Sequence, residues 1–337
     1  MHEKGLGHCK MNSTFFAIIF FIITQAALTL QPAFVSGQPA GETQTTQQVD
    51  VYFLTLRDQL KGRFQNQYYG GGRDRLRAGT CSVEFSPIWG LKDIAEAAPF
   101  YLPEESMDLK TVAEWPVSRF WEAVSAFNTD GNGNGVLYVH GYNIGFEKSC
   151  RRAAMFQRAL NITGRMVLFS WPADGSFLKY TYDEADLVWS VPHLQKVIDG
   201  IVSRMGDQKL DVVAHSMGAR GVVQALTALA CENPPAPLIN ELILLAPDID
   251  TDLFGQYLPL LGKAASRITI YVSENDKALA VSHEVHGYPR LGEAGQHLAV
   301  FEGVDTIDIS PAGRRRMSGH IYHNFNPTVV NDLRQLL

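Results

Sequence analysis

The chain has 337 residues, 46% of them hydrophobic and 19% charged, with a formal net charge of −6. That is enough apolar material for one sizeable core, and it excludes a disordered or low-complexity protein. Acidic residues outnumber basic ones, so there is no basic surplus to displace counterions from phosphates, and a nucleic-acid partner is not expected.

The first segment reads as an address. Lys4 and Lys10 precede a run from Phe15 to Ile23 in which every residue is apolar, continued more weakly through Leu28 and Leu30. A positive start followed by an apolar stretch is the pattern of a signal peptide, with Ser36 and Gly37 as small residues before a cleavage point at Gln38. Residues 14–30 also lie at the short edge of what spans a bilayer, so an uncleaved N-terminal anchor, a membrane tether, is the alternative. Both readings of residues 1–37 point to an exported protein, periplasmic or secreted. Residues 38–48, rich in Gln, Thr, Gly and Pro, read as a flexible tether. Cys81, Cys150 and Cys231 follow the leader; three cysteines cannot close a disulfide set and none has CxxC spacing, so small buried side chains are expected.

From Val49 onward, β-branched or aromatic runs alternate with helical patterns. Strands are predicted at Val49–Leu56, Cys81–Phe85, Val136–Val139, Met166–Phe169, Leu210–Val213, Leu242–Leu245, Ile268–Val272 and Val304–Ile309. Helices are predicted at Phe146–Leu160, Asp183–Met205, Ala219–Ala230 and Asp252–Leu261, with a last one opened by Asn326-Pro327. Such alternation builds βαβ units around a mostly parallel sheet with helices on both faces. A single α/β domain over residues 49–337 is the expectation.

The most informative stretch is Leu210 to Gly221, where a buried strand runs into Ala214-His215-Ser216-Met217-Gly218 and at once into a helix. This is the context of a nucleophile elbow. The serine must adopt a strained backbone to expose its hydroxyl, so the residues two before and two after it must be small. Ala214 and Gly218 fill those positions; alanine replaces the usual first glycine by one methyl group. A hydroxyl needs a base, and the base needs a carboxylate to hold its tautomer, in the chain order Ser, acid, His. Asp276 follows the strand ending at Val272, and His320 follows the strand ending at Ile309. Asp248 in Ala246-Pro247-Asp248 is the alternative acid, and His323 the weaker alternative base. An oxyanion hole is expected from the amides of Tyr142 and Met217, the first beyond His140-Gly141 at a strand end, the second at a helix N-terminus. His140 is expected to orient that loop, with Gly141 allowing the turn.

Taken as a set, HGYN (140–143), FSWPADG (169–175), AHSMG (214–218), LAPDID (245–250), YVSENDKAL (271–279) and GHIYHNFNP (319–327) resemble the bacterial α/β-hydrolases grouped as a domain of unknown function, DUF900. The resemblance runs from about Val49 to the C-terminus. It implies an α/β-hydrolase fold and an esterase- or lipase-like activity, with Ser216, Asp276 and His320 on the triad positions. It supplies no substrate.

No cofactor or metal is expected. Gly131 to Gly135 precedes a strand, so it is a turn and not a dinucleotide loop. His283-Glu-Val-His286 lacks the HExxH spacing and reads as ordinary helix polar residues. The aromatics Phe177, Tyr180, Tyr182 and Trp189 either wall the site or cover the sheet. The expected function is hydrolysis of a small-molecule carboxylic ester through an acyl-enzyme. Transfer of the acyl group to another acceptor, and a binding module without chemistry, are the alternatives.

Overall fold

A computed structural model describes residues 47–60, 67–85, 107–127, 133–162, 166–176, 179–206, 208–232, 234–312, 320 and 326–337. The leader and nearly all of the tether, Phe177 and His323 lie outside the described residues. Those described fall within one compact unit, Thr45–Leu337.

Among the described residues nine strands form one sheet. In chain order they are β1 (Gln47–Gln59), β2 (Tyr69–Phe85), β3 (Met107–Trp115), β4 (Gly135–Val139), β5 (Met166–Ser170), β6 (Leu210–His215), β7 (Ile239–Leu245), β8 (Ala265–Val272) and β9 (Asp305–Asp308). Their spatial order is β3-β2-β1-β5-β4-β6-β7-β8-β9. The first three are antiparallel, and every later pairing is parallel.

The helices are α1 (Val117–Ala126), α2 (Phe146–Leu160), α3 (Tyr180–Val202), α4 (Met217–Ala230), α5 (Thr251–Ala264), α6 (Lys277–His286) and α7 (Pro327–Leu336). They cover both faces because the central strands are apolar on both. Leu137, Val139, Val212 and Leu244 pack with α1, α3, α4 and α5 on one face. Val136, Tyr138, Val213 and Leu245 pack with α2 and α7 on the other. Such strands read as continuous hydrophobic runs, as β4 to β8 do.

Several elements extend the sequence reading. β2 begins at Tyr69, well before the predicted Cys81, because its N-terminal half carries Gly, Asp and Arg on an exposed hairpin arm. β3 and α1 were not predicted; β3 is an edge strand whose charged side chains mask the two-residue alternation. α6 is also additional. Its apolar pattern is weak, with Leu279 and Ser282 as its buried residues. Cys81 and Cys150 are free and buried, whereas Cys231 is free and exposed, against the expectation of a buried thiol there. The α4 C-terminus that carries Cys231 stops at the surface. Among the described residues no helix is long and apolar enough to cross a membrane.

The strand order reverses beside β4: the chain passes from β4 to β5 on one side and to β6 on the other. In open α/β sheets a crevice opens at the carboxyl ends of the strands at such a point. Here it falls between Val139 and Ala214, which are register partners. The chain therefore brings His140-Gly141 and Ser216 side by side.

Candidate active site

Ser216 sits between β6 and α4 with φ 54° and ψ −125°. A non-glycine residue with positive φ costs about 1–3 kcal/mol and persists only where its surroundings over-determine it. They do: the Ser216 amide donates to the Leu245 carbonyl (3.0 Å), and its carbonyl accepts from the amides of Ala219 (3.1 Å) and Asp248 (3.2 Å). The Ser216 side chain makes no cap to its own helix, which leaves its hydroxyl available for other work.

Gly218 and Gly141 bring the two loops into contact. A Cβ on Gly218 would collide with the His140 carbonyl oxygen, and one on Gly141 would stand 2.8 Å from His215 Nδ1 and 2.9 Å from Ser216 Cβ. Gly218→Ala is accordingly expected to destabilise the fold by about 1–3 kcal/mol, because the obstacle is backbone and cannot rotate away. Urea denaturation measures this. Ala214 is fully buried in β6 between β4 and β7, so its methyl group is accommodated.

Asp276 and His320 meet at the same edge of the sheet. His320 Nδ1 lies 2.7 Å from Asp276 Oδ2, and the Asp276 side chain is fully buried. Asp276 Oδ1 accepts from the amides of Ala278 and Leu279, both at 3.0 Å, making it the N-cap of α6. One carboxylate oxygen thus anchors to a helix N-terminus, where the dipole favours negative charge, and the other holds the imidazole. Since a carboxylate accepts, Nδ1 carries the proton and Nε2 is the basic nitrogen of the neutral ring. Burial works against protonation of His320, but the charge of Asp276 and its hydrogen bond outweigh it, and the pKa of His320 lies above the ordinary histidine value.

His320 is tied to the elbow by His215, whose Nε2–H donates to the His320 carbonyl (3.1 Å) and whose ring lies 4.7 Å from the His320 ring, centroid to centroid. Among the described residues no hydrogen bond joins Ser216 Oγ to the His320 ring. In ligand-free enzymes the contact between nucleophile and base is often long and tightens in the substrate complex.

Asp248, the other strand-end acid, is committed elsewhere. Its carboxylate accepts from Arg290 Nε (2.8 Å), Ser282 Oγ (2.6 Å) and the Tyr180 hydroxyl (2.6 Å), with Arg220 at 3.5 Å. Burial disfavours its charged form, but the two guanidiniums and these hydrogen bonds prevail and lower its pKa. It braces the elbow through its amide instead of orienting a histidine.

Beyond β4, the His140 ring is fully buried and stacks on Trp171 at 5.1 Å. Its Nδ1 lies 2.8 Å from the Gly141 carbonyl, which can only accept, so Nδ1 bears the proton. Burial, then the neighbouring Arg57 charge, drives its pKa well below the usual value, so the ring is neutral. Tyr142 follows Gly141 in this loop, and Met217 opens α4 directly after Ser216.

Three supporting residues were missed from the sequence: Arg57 and Asp183, which hold this loop, and His215, which holds His320. Arg57, on β1, is fully buried. It donates to the Ile144 carbonyl (2.6 Å), the Ala173 carbonyl (2.6 Å), the Gly70 carbonyl (3.0 Å) and Ser170 Oγ (2.9 Å). Burial lowers its pKa to about 10, against the pull of surrounding carboxylates. Asp183, also buried, accepts from the amides of Asn143 (3.0 Å) and Asp174 (2.8 Å). Burial raises its pKa to about 6, partly offset by those two bonds. Asn143 has φ 59°, so Asp183 holds the loop where it is strained. The sequence offered one clue: Thr55 and Arg57 interrupt an apolar strand. Arg57→Lys is expected to lower stability by about 3 kcal/mol, since one ammonium cannot reach four acceptors fixed for a planar fork. Denaturant midpoints of the two proteins test it.

The aromatic wall resolves into separate fates. Trp171 is core, Tyr182 is 65% exposed, and Trp189 packs against the core beside Arg73. Tyr180 stays beside the loop, edge-on to Tyr142 at 5.1 Å.

The family model described as "Alpha/beta hydrolase of unknown function (DUF900)" matches residues 122–337. An uncharacterized protein of Nostoc sp. (strain PCC 7120), alr1448, is 37% identical over 73 residues, 22% of this chain; the match spans 19% of that protein, about a fifth of its length. Among solved structures, a cold-adapted esterase from an Arctic intertidal metagenomic library is 12% identical, covering 78% of this chain and 89% of that one, with a TM-score of 0.36. XC6422 from Xanthomonas campestris, a member of the a/b serine hydrolases without lid, is 15% identical, covering 61% and 80%, with a TM-score of 0.33. The family match takes in β4 to α7, and with it the elbow and every strand end of the crevice, so the chain belongs to the α/β-hydrolase family of unknown function DUF900.

Proposed function

We propose that this α/β hydrolase cleaves carboxylic esters through a serine acyl-enzyme. Ser216 Oγ attacks the acyl carbon while His320 Nε2 takes its proton, and the same nitrogen returns that proton to the departing alcohol. A water, deprotonated by His320, then releases the acid and restores Ser216. Asp276 holds His320 in the required tautomer, and the amides of Tyr142 and Met217 receive the developing oxyanion. The observation that supports this reading most is the 2.7 Å bond between Asp276 and His320 at the edge where a strained serine opens α4.

A fluorophosphonate probe tests it directly. Labelling is expected on Ser216, with turnover across a panel of p-nitrophenyl esters of increasing acyl length. A folded chain that neither labels nor turns over would mark a binding module instead. Ester product exceeding free acid when alcohols are supplied would mark acyl transfer. Export by the N-terminal apolar run is part of the same proposal, and N-terminal sequencing of protein from the culture or envelope separates a cleaved leader from an anchor.

A further inference from the structure

α6 ends at His286, and Gly287 in the left-handed conformation (φ 78°) turns the chain back along the helix. The returning segment brings Glu293 and, from the short 3-10 turn Gly295–His297, His297 alongside His283. One ligand atom from each of His283, Glu293 and His297 lies within 4.8 Å of the others. His283 Nδ1 is 3.0 Å from Glu293 Oε2, and the two imidazole rings are 4.8 Å apart, edge to face. The Glu293 carboxylate is itself oriented by the Arg290 amide, 2.7 Å from Oε2. Such an outer hydrogen bond is what orients metal-ligating carboxylates.

From this convergence we propose that His283, Glu293 and His297 bind a divalent transition-metal ion of the zinc type. Two imidazole nitrogens and one carboxylate oxygen are a borderline-soft donor set that suits zinc, whereas calcium and magnesium require mostly oxygen. Tetrahedral zinc with bonds of about 2.0–2.2 Å places its donors roughly 3.4 Å apart, so closing the site needs side-chain shifts of about 1 Å. Glu293 is nearly buried, but both histidines are partly exposed, and His297 opens onto a cleft of about 270 Å³ shared with Thr251, Tyr288 and Leu298, which provides an entry path. Neighbouring His286 is not a ligand: its nitrogens face Ser282 and Glu184. The HEVH run thus holds one metal ligand whose partners come from the loop that follows, not from the helix.

The position gives the ion a structural task. α6 is capped by Asp276, while Glu293 forms a bridge with Ser273, and the Ser273 amide donates to the Gly292 carbonyl (3.0 Å). An ion on His283 and Glu293 therefore clamps together the two sides of the turn that presents Asp276. It is a positioning device and touches no reacting atom.

The test uses the full chain carrying Ser216→Ala, stripped with chelator, so that the outcome does not depend on ester hydrolysis. Calorimetric titration with zinc should show one equivalent bound, and cobalt(II) should develop the intense visible bands of a tetrahedral site. His297→Ala, at a partly exposed position, should weaken zinc by about 100-fold or more and abolish the cobalt bands, and Glu293→Gln should do the same. Zinc should raise the thermal midpoint by about 5 °C when all three ligands are present, and not in His297→Ala. Absence of zinc binding overturns the proposal. So does binding that persists undiminished in His297→Ala, which would place the ion elsewhere, for instance at the acidic group Asp174, Asp183 and Asp186.

Discussion

Ser216→Ala is expected to reduce kcat for a short p-nitrophenyl ester by about 10⁶-fold, with the far-ultraviolet circular dichroism unchanged. The size follows from the unit nature of the proposed triad: without the nucleophile, the base and its orienting acid have nothing to activate. The proposed oxyanion amides alone would then leave a residual acceleration of about 10³–10⁴ over water. The fold should survive. The hydroxyl makes no cap to α4, and the elbow is held by backbone bonds that alanine keeps, to Leu245, Ala219 and Asp248. Alanine at a positive φ is strained as serine is, so the stability change should stay within about 1 kcal/mol. Activity in this variant within tenfold of the parent would remove Ser216 from the chemistry.

Asp276→Asn should lower kcat by about 10⁴-fold, since asparagine presents the wrong pairing to the imidazole and loses the tautomer. It should barely affect α6, because asparagine caps a helix as well as aspartate does. Asp276→Ala removes both functions and should cost about 1 kcal/mol more in stability, which separates the two roles of one carboxylate. The pH profile carries a further sign. In the proposed mechanism His320 must be neutral to act as base, and its pKa is raised by the charge and hydrogen bond of Asp276 against burial. The acidic limb of kcat/KM should therefore fall at a pH above the ordinary histidine value of about 6.5, and in Asp276→Asn it should move down. The same interaction stabilises the fold fully below the unfolded histidine pKa and is lost as pH rises through the raised one. A limb unmoved by Asp276→Asn would mean that another group sets it.

How much of this was readable from residues alone differs from feature to feature. The strands β4 to β8 and the helix α2 announce themselves because burial on both sides demands continuous apolar runs, and a helix packed on a sheet demands a stripe. The elbow is equally local: strand, turn and helix lie within a dozen residues, and Gly218 is needed wherever a helix N-terminus is pressed against a neighbouring carbonyl. β3 and α6 are faint because an exposed edge strand and a half-exposed helix are written mainly in polar residues.

The choice between Asp248 and Asp276 had a different character. Both follow strands and both satisfy the chain order. What separates them is that Arg290, Ser282 and Tyr180, at 42, 34 and 68 positions' distance along the chain, converge on Asp248, while His320 converges on Asp276. Arg57 beneath the 140–144 loop is likewise visible only as an odd charge in an apolar strand until the carbonyls of Gly70, Ala173 and Ile144 close around it.

The amino-acid sequence by itself determined the class of fold, the place of the elbow and the kinds of side chain available at each strand end. Periodicity and backbone sterics act over a few residues and are carried in the order of the chain. Only the tertiary structure decided which acid holds which histidine, what steadies the loop beyond β4 and which residues gather at the far end of α6. Those outcomes depend on which side chains distant in the chain are buried against one another, and that is decided when the sheet closes.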